Sequence, residues 1–354
     1  MKSYQVFDYG KPLKEVEQPT PQPQGTEVLI KMQAAGICHS DLHIWEGGYD
    51  LGAGKRLELK DRGIRLPLTM GHENAGEIVA FGPEAEQHSD GRKIGEACLV
   101  FPWIGCGSCA ACSEGTENLC MAPRSLGVYN HGGYADYMLV PHPRYLLPLG
   151  GLDPVAVAPY ACSGLTTYSA LKKFGERIKR DPVLVIGAGG LGLMCISILK
   201  AMAGKGAVAV DIDPQKRAAA IAAGALAAVD GAAPDAAEQV AKAMGGPAWM
   251  AVDLVGAPAT ASLGLNVLGK GGKLLIVGLF GGSAPWPLPM IPLKAATIQG
   301  SYTGSLPEMK ELLDLVRAGK VPPIPITRRQ LSQATDTLED LRHGRLVGRV
   351  VVTP

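Results

Sequence analysis

Hydrophobic and polar positions change their rhythm twice along this chain. Up to about residue 150 the apolar runs are short and broken by Pro and Gly. Segments 27–32 and 75–80 carry the clearest β-type pattern, so this part predicts irregular β structure. Around Pro154 the texture shifts to long Ala-, Leu- and Ile-rich stretches that alternate with short Val-rich ones, the pattern of parallel βαβ units. Segments 182–186, 207–210, 250–255 and 273–277 read as buried strands. Segments 191–203 and 216–223 read as helices, the second closed by Gly224. After about Ile291 the texture is mixed again, with a helix over 307–318 and a closing strand over 347–352. The tail resembles the first third more than the middle, so the pattern predicts one unit inserted into another. Repeats, low-complexity tracts and long charge runs are absent.

Composition narrows the class. At 354 residues the chain is long enough for two domains and a core that needs no staples. Lys+Arg 34 against Asp+Glu 33 leaves a net charge of +1, which gives no electrostatic reason to expect a nucleic acid or an anionic membrane as partner. The amino terminus has no apolar signal core, and no uninterrupted apolar run spans a bilayer, so a cytoplasmic protein is expected. Its eight cysteines are then expected as reduced thiols, either metal ligands or inert.

The first candidate chemistry is a glycine-rich turn. The strand at 183–186 runs into Gly187-Ala188-Gly189-Gly190-Leu191-Gly192 and then an apolar helix, the context that gives GxGxxG its meaning. Gly187 permits the tight turn, Gly189 lets backbone approach a pyrophosphate, and Gly192 lets helix pack closely on strand. Free N–H groups at the helix start favour phosphate. Asp211 ends the next strand, where a carboxylate accepts ribose hydroxyls and repels a 2′-phosphate, so NAD is favoured over NADP. Ile212, Lys216, Val277 and Leu279 are the further positions expected along this cofactor site; Asp213 and Lys216 read equally well as solvated charges.

The second is a cysteine cluster. Cys106, Cys109, Cys112 and Cys120 follow C-x2-C-x2-C-x7-C in a Gly/Ser-rich segment. Four such thiolates can wrap one zinc with no position left open, a structural site, although spacing alone does not separate zinc from iron. Glu114 and Glu117, with no Lys or Arg among them, argue against a nucleic-acid-binding knuckle. The third is dispersed: Cys38, His72 and Cys162 are unremarkable singly, yet together they are the Cys2His set that leaves zinc a fourth position for water or substrate.

With Cys38-His39-Ser40-Asp41-Leu42-His43, Gly71-His72-Glu73, the four-cysteine lobe, Cys162 and the glycine turn with Asp211 all in this order, the sequence resembles the zinc-dependent medium-chain alcohol dehydrogenases over essentially its whole length. The resemblance implies an α/β fold in which a Rossmann doubly wound parallel sheet domain is inserted in a GroES-like β-rich catalytic domain. The boundaries expected are 1–162 for the catalytic part with its lobe at about 104–122, 163–300 for the NAD-binding domain, and 301–354 for the return. It also implies two zinc ions per chain and an assembly of four subunits, or two, with the apolar segment 288–303 extending a sheet between copies.

By the same resemblance Cys38, His72 and Cys162 correspond to catalytic zinc ligands and Cys106, Cys109, Cys112 and Cys120 to structural ones. Glu73 matches a carboxylate near the metal and Asp41 the partner that orients the ligating His. Ser40 and His43 match a proton relay, against the simpler readings of a helix cap and a surface residue. His39 stands where many members have Arg near the cofactor phosphates, Arg349 resembles an arginine that reaches the pyrophosphate, and Trp45 and Trp103 match substrate-pocket positions. The implied reaction is hydride transfer between an apolar or aromatic alcohol and NAD, with an aldehyde or ketone in reverse. Within the family a polyol dehydrogenase, or a cinnamyl-type enzyme using NADP, is the rival. Cys162 weighs against the former and Asp211 against the latter. Segment 50–67 is longer than in the animal-type enzymes, which leaves the shape of the cleft open. Cys98 and Cys195 are expected as ordinary buried thiols.

Overall fold

The computed structural model describes residues 1–354. Its middle third is a six-stranded parallel sheet. In spatial order the strands are Ala227–Asp230, Ala207–Asp211, Val183–Ile186, Ala248–Asp253, Leu268–Ile276 and Thr297–Gly300. The first strand in sequence therefore lies third from one edge, and the chain reverses its direction of travel between it and Ala248–Asp253. A crevice opens at such a reversal, outside the carboxyl ends of the strands, and this is where doubly wound sheets bind ligands. Strand Val183–Ile186 is buried throughout, as expected of a strand covered by helices on both faces.

Four elements of this unit have no counterpart in the sequence pattern: strand Ala227–Asp230, helix Ala236–Met244, helix Pro258–Asn266 and strand Thr297–Gly300. Alanine supplies two of the four residues of the first and four of the nine of the second, and its small side chain marks an apolar position only weakly. The other expected strands and helices are present, with ends shifted by one to five residues.

A second, seven-stranded sheet is built from both ends of the chain. Strand Val28–Ile37 pairs antiparallel with Glu73–Phe81 on one side and with the carboxy-terminal Arg349–Thr353 on the other. The register sets Gly36 opposite Glu73 and Ile37 opposite Val350. Thus Cys38, the His72-Glu73 pair and Arg349, distant in sequence, meet at one end of these three central strands. Segment 48–58 forms a two-stranded hairpin, Gly48–Gly52 with Lys55–Glu58, followed by a single 3-10 turn at Leu59–Arg62. The hairpin crosses to the parallel-sheet unit, where the Gly282 N–H donates to the Asp50 carbonyl at 3.0 Å. No helix is long and apolar enough to cross a membrane.

Candidate active site

Both dispersed cysteines sit where a strand or turn gives way to a helix. Cys38 is the residue before helix His39–Glu46, and Cys162 the residue before Ser163–Lys172. Free N–H groups and the positive end of the helix favour a thiolate at that position. The two sulfurs are 3.9 Å apart, and the His72 ring nitrogen joins them within 4.8 Å. The Cys162 thiol beside Cys38 holds the Cys38 thiol well below its usual range and is itself pushed up, the behaviour of two sulfurs sharing one proton.

Asp41 orients this group. Its Oδ1 lies 3.0 Å from His72 Nδ1, and its Oδ2 accepts the Cys38 N–H at 2.9 Å. With Nδ1 directed at Asp41, His72 turns Nε2 toward the sulfurs, and that buried atom has no hydrogen-bond partner in the protein. Two thiols and an orphaned imidazole nitrogen, all buried and converging, fit a zinc ion with one position left for an outside ligand.

Glu73 stands beside this set. Its Oε1 accepts the Ser163 N–H at 3.1 Å and its Oε2 pairs with Arg349. Burial pushes its carboxyl up to about 7, with the Arg349 guanidinium opposing. Arg349 is itself buried and lies against the glycine turn, where a Cβ on Gly190 would meet its Cδ at 2.5 Å. One guanidinium therefore touches both the first residue of the turn's helix and the carboxylate next to His72, a link the sequence did not disclose.

The turn itself is shaped for a close ligand. Gly187 adopts φ +94°, which favours glycine, and a Cβ on Gly192 would lie 2.1 Å from the Gly187 carbonyl oxygen. Nothing lies within 4 Å of a Cβ built on Gly189, so its backbone faces open space. Helix Gly190–Ala201 starts here, and no side chain caps its first N–H groups. Asp211 accepts the Ala188 N–H at 2.8 Å and the Asp213 N–H at 2.9 Å, which fixes the carboxylate at the rim of the turn. Lys216 Nζ is 3.9 Å from Asp213, Val277 is buried, and Ile212 and Leu279 are exposed. This open cradle with its anchored acid fits a dinucleotide.

Around the metal group the remaining expected residues separate. Ser40 and His43 share the helix that Cys38 caps; His43 is buried, its ring 6.0 Å from the exposed His39 and 4.8 Å from Tyr49. Burial first, and then His39, lower the His43 imidazole to about 4. Trp103 packs its ring 5.4 Å from His72 and donates to the Ala161 carbonyl at 3.0 Å. Trp45 is a correction. Expected in the pocket, it is 1% exposed, its indole N–H donates to the Lys11 carbonyl at 2.5 Å, and Arg342 covers its ring at 4.4 Å. Its faces and its polar atom are all occupied by the protein, so it belongs to the core of the catalytic part.

The four-cysteine lobe closes separately. Cys109 Sγ is 3.5 Å from Cys112 and 3.6 Å from Cys120, and all four sulfurs lie within 4.8 Å of one another. Glu117 anchors the lobe, accepting from Tyr145 at 2.8 Å and pairing with Arg144 at 2.9 Å. Four sulfurs with no gap for another ligand suit one tetrahedral zinc. Cys98 and Cys195 are buried, away from both groups.

Comparison with known proteins agrees with this geometry. Residues 24–150 match the alcohol dehydrogenase GroES-like domain and residues 190–318 the zinc-binding dehydrogenase family. The chain is 37% identical over 355 residues to an NAD-dependent alcohol dehydrogenase of Sulfurisphaera tokodaii, covering 100% of both. It is 33% identical to the D-arabinose 1-dehydrogenase (NADP(+)) of Saccharolobus solfataricus, covering 98% of this chain and 95% of that one. Among solved structures, the alcohol dehydrogenase of Aeropyrum pernix superposes with a TM-score of 0.89 at 30% identity, with 100% of each chain covered. The chain belongs to the zinc-dependent medium-chain alcohol dehydrogenase family.

Proposed function

We propose that this protein oxidises an alcohol to an aldehyde or ketone with NAD, and runs the reverse reduction, using two zinc ions per chain. The observation that carries the reading is the orphaned, buried His72 Nε2 facing the Cys38 and Cys162 sulfurs, joined to the glycine turn through Glu73 and Arg349. Cys38, His72 and Cys162 would hold the catalytic zinc; Cys106, Cys109, Cys112 and Cys120 the structural one. Zinc supplies a Lewis acid that makes an alcohol proton easier to lose, and NAD supplies the hydride acceptor.

The chain's own residues do the rest. Asp41 holds the His72 ring in one orientation. Gly187 to Gly192 and Arg349 receive the pyrophosphate, with His39 beside them, and Asp211 receives the adenosine ribose and opposes a 2′-phosphate. Ser40 takes the alcohol's proton and His43 passes it outward. An imidazole lowered to about 4 is neutral near pH 7, so it can accept a proton on one nitrogen while releasing one from the other. Trp103, against His72, forms an apolar wall for the substrate.

Metal analysis with an NAD-coupled alcohol assay tests the reading. Two zinc ions per chain are expected in the wild type. Cys38→Ser should keep one and reduce kcat by more than a hundredfold, on the order of removing a principal electrostatic contribution to the transition state. One zinc in the wild type, or full activity in Cys38→Ser, overturns it.

The protein is further proposed to work in the cytoplasm as a homotetramer. Strand Thr297–Gly300 ends the parallel sheet with its outer side unpaired, beside exposed Leu288 and Leu293. Light scattering reads the assembly, and a monomer at micromolar concentration contradicts it.

A further inference from the structure

The proposed relay ends in a histidine that the protein holds by packing alone. Four of the seven histidines are fixed by a hydrogen bond at Nδ1: His72 with Asp41, His131 with the Thr69 N–H, His142 with the Arg144 N–H and His343 with the Glu339 carbonyl. The His43 ring has no such bond. It is buried between two other rings, 6.0 Å from His39 on its own helix and 4.8 Å from Tyr49 beyond it, tilted 44° to the latter. His39 is exposed, so the cover from outside the helix comes from Tyr49.

The chain is built to bring Tyr49 back onto His43. Helix His39–Glu46 ends at Gly47, whose φ of +82° favours glycine and whose N–H donates to the His43 carbonyl at 2.9 Å. This left-handed turn reverses the chain, and Tyr49 follows two residues later on hairpin strand Gly48–Gly52. The hairpin is pinned to the helix end: Arg56, on the opposite strand, donates to the Glu46 carbonyl at 2.5 Å, and the Leu59 N–H donates to the Gly47 carbonyl at 2.9 Å. Directly after Tyr49 it is held again, by the Gly282 N–H on the Asp50 carbonyl. Tyr49 therefore sits between two anchored points.

Orientation matters more for this histidine than for one that fills a core. A relay imidazole accepts a proton on one nitrogen and releases one from the other, so both must point along the path. A ring without hydrogen bonds turns about its own side-chain bonds unless something lies against it, and a displacement of about 1 Å in a catalytic group can cost about a hundredfold. The Tyr49 ring restricts that turning while making no hydrogen bond to either nitrogen, so both stay free for the proton.

We infer that Tyr49 is a positioning residue for proton transfer: its ring, clamped by the hairpin, holds the His43 imidazole in the orientation that passes the alcohol's proton outward. The inference rests on the proposed relay and deepens it. No bond changes at Tyr49. His43 takes a proton from Ser40 on one nitrogen, gives one up from the other, and returns to its neutral form.

The test is the single-turnover rate of NADH formation by the zinc-loaded enzyme with saturating NAD and whichever of benzyl alcohol, 1-phenylethanol and ethanol reacts fastest. It is measured at fixed pH and ionic strength over a range of Tris concentrations. An ordered relay needs no outside base, so the wild type should be indifferent to Tris. His43→Gln should be about a hundredfold slower, the lower end of what a positioned acid–base group contributes. Tyr49→Ala should be about tenfold slower, since its imidazole is present but no longer held. Both should speed up as Tris supplies the missing path for the proton. Tyr49→Phe, which restores the ring without the hydroxyl, should recover the rate and lose the response to Tris. Tyr49 is half-buried in a hairpin outside both large sheets, and zinc content and NADH affinity by fluorescence should match the wild type in all three variants, so that slowness is not loss of metal or cofactor. With His43→Gln slow and responsive, a Tyr49→Ala that keeps the wild-type rate or ignores Tris, or a Tyr49→Phe as slow as Tyr49→Ala, overturns the inference and leaves the relay standing. A His43→Gln at the wild-type rate overturns relay and inference together, and a wild type that reduces NAD with none of the three alcohols overturns the dehydrogenase reading as well.

Discussion

Asp41 uses its two oxygens for different purposes, one toward the His72 ring and one on the Cys38 amide, so a single carboxylate aligns two of the three metal-facing groups. Asp41→Ala should free the ring and weaken zinc retention by about tenfold to a hundredfold, read by competition with a chromogenic chelator. His43 permits a prediction about pH. Its folded value of about 4 lies below the ordinary 6.5, so the unfolded chain binds the proton first as pH falls. Its contribution is present above 6.5 and disappears as pH drops toward 4, at most about 3 kcal/mol. His43→Gln should flatten that part of the pH dependence of unfolding by denaturant; an unchanged slope contradicts the burial argument. The same scale shows what a sequence can and cannot disclose. Cys38, His72 and Cys162 are identifiable by type because few residues bind zinc. Trp45 and Trp103 are the same residue, and only long-range packing sends one under Arg342 and the other against His72.

At the scale of elements, the most uniformly apolar ones were legible. Val183–Ile186 and Gly190–Ala201 are strongly apolar, and both were expected; the Ala-rich pair Ala227–Asp230 and Ala236–Met244 was not. The turn between the first two has little tolerance. In Gly192→Ala the added methyl would fall 2.1 Å from the Gly187 oxygen, so the helix must back away and the cradle must widen. NAD affinity by calorimetry should fall by about tenfold or more, with zinc content unaltered. The lobe from Cys106 to Cys120 has one four-residue helix and one 3-10 turn, too little secondary structure to close on its own. Cys112→Ser should therefore remove one zinc and lower the midpoint of thermal unfolding, while Cys38→Ser removes the other zinc with little effect on that midpoint. Similar losses of stability in both variants would contradict the division between the two sites.

At the scale of the molecule, the insertion of a parallel-sheet unit between strands Val28–Ile37 and Arg349–Thr353 of one antiparallel sheet ties the ends of the chain together around the middle. That nesting was visible in the changing texture of the sequence. Invisible was the hairpin at 48–58, whose Asp50 reaches across to Gly282, with Gly52 so close that a Cβ there would meet the Ser283 hydroxyl at 2.6 Å. This crossing turns one amide into a clock. The hydrogen on the Gly282 nitrogen can trade places with deuterium from water only when the hairpin lets go, so its exchange rate counts how often the two halves part. Exchange at 278–283, followed by mass spectrometry, should slow when NAD is added and quicken in Gly52→Ala. A molecule at rest would thereby report the frequency with which it admits what it works on.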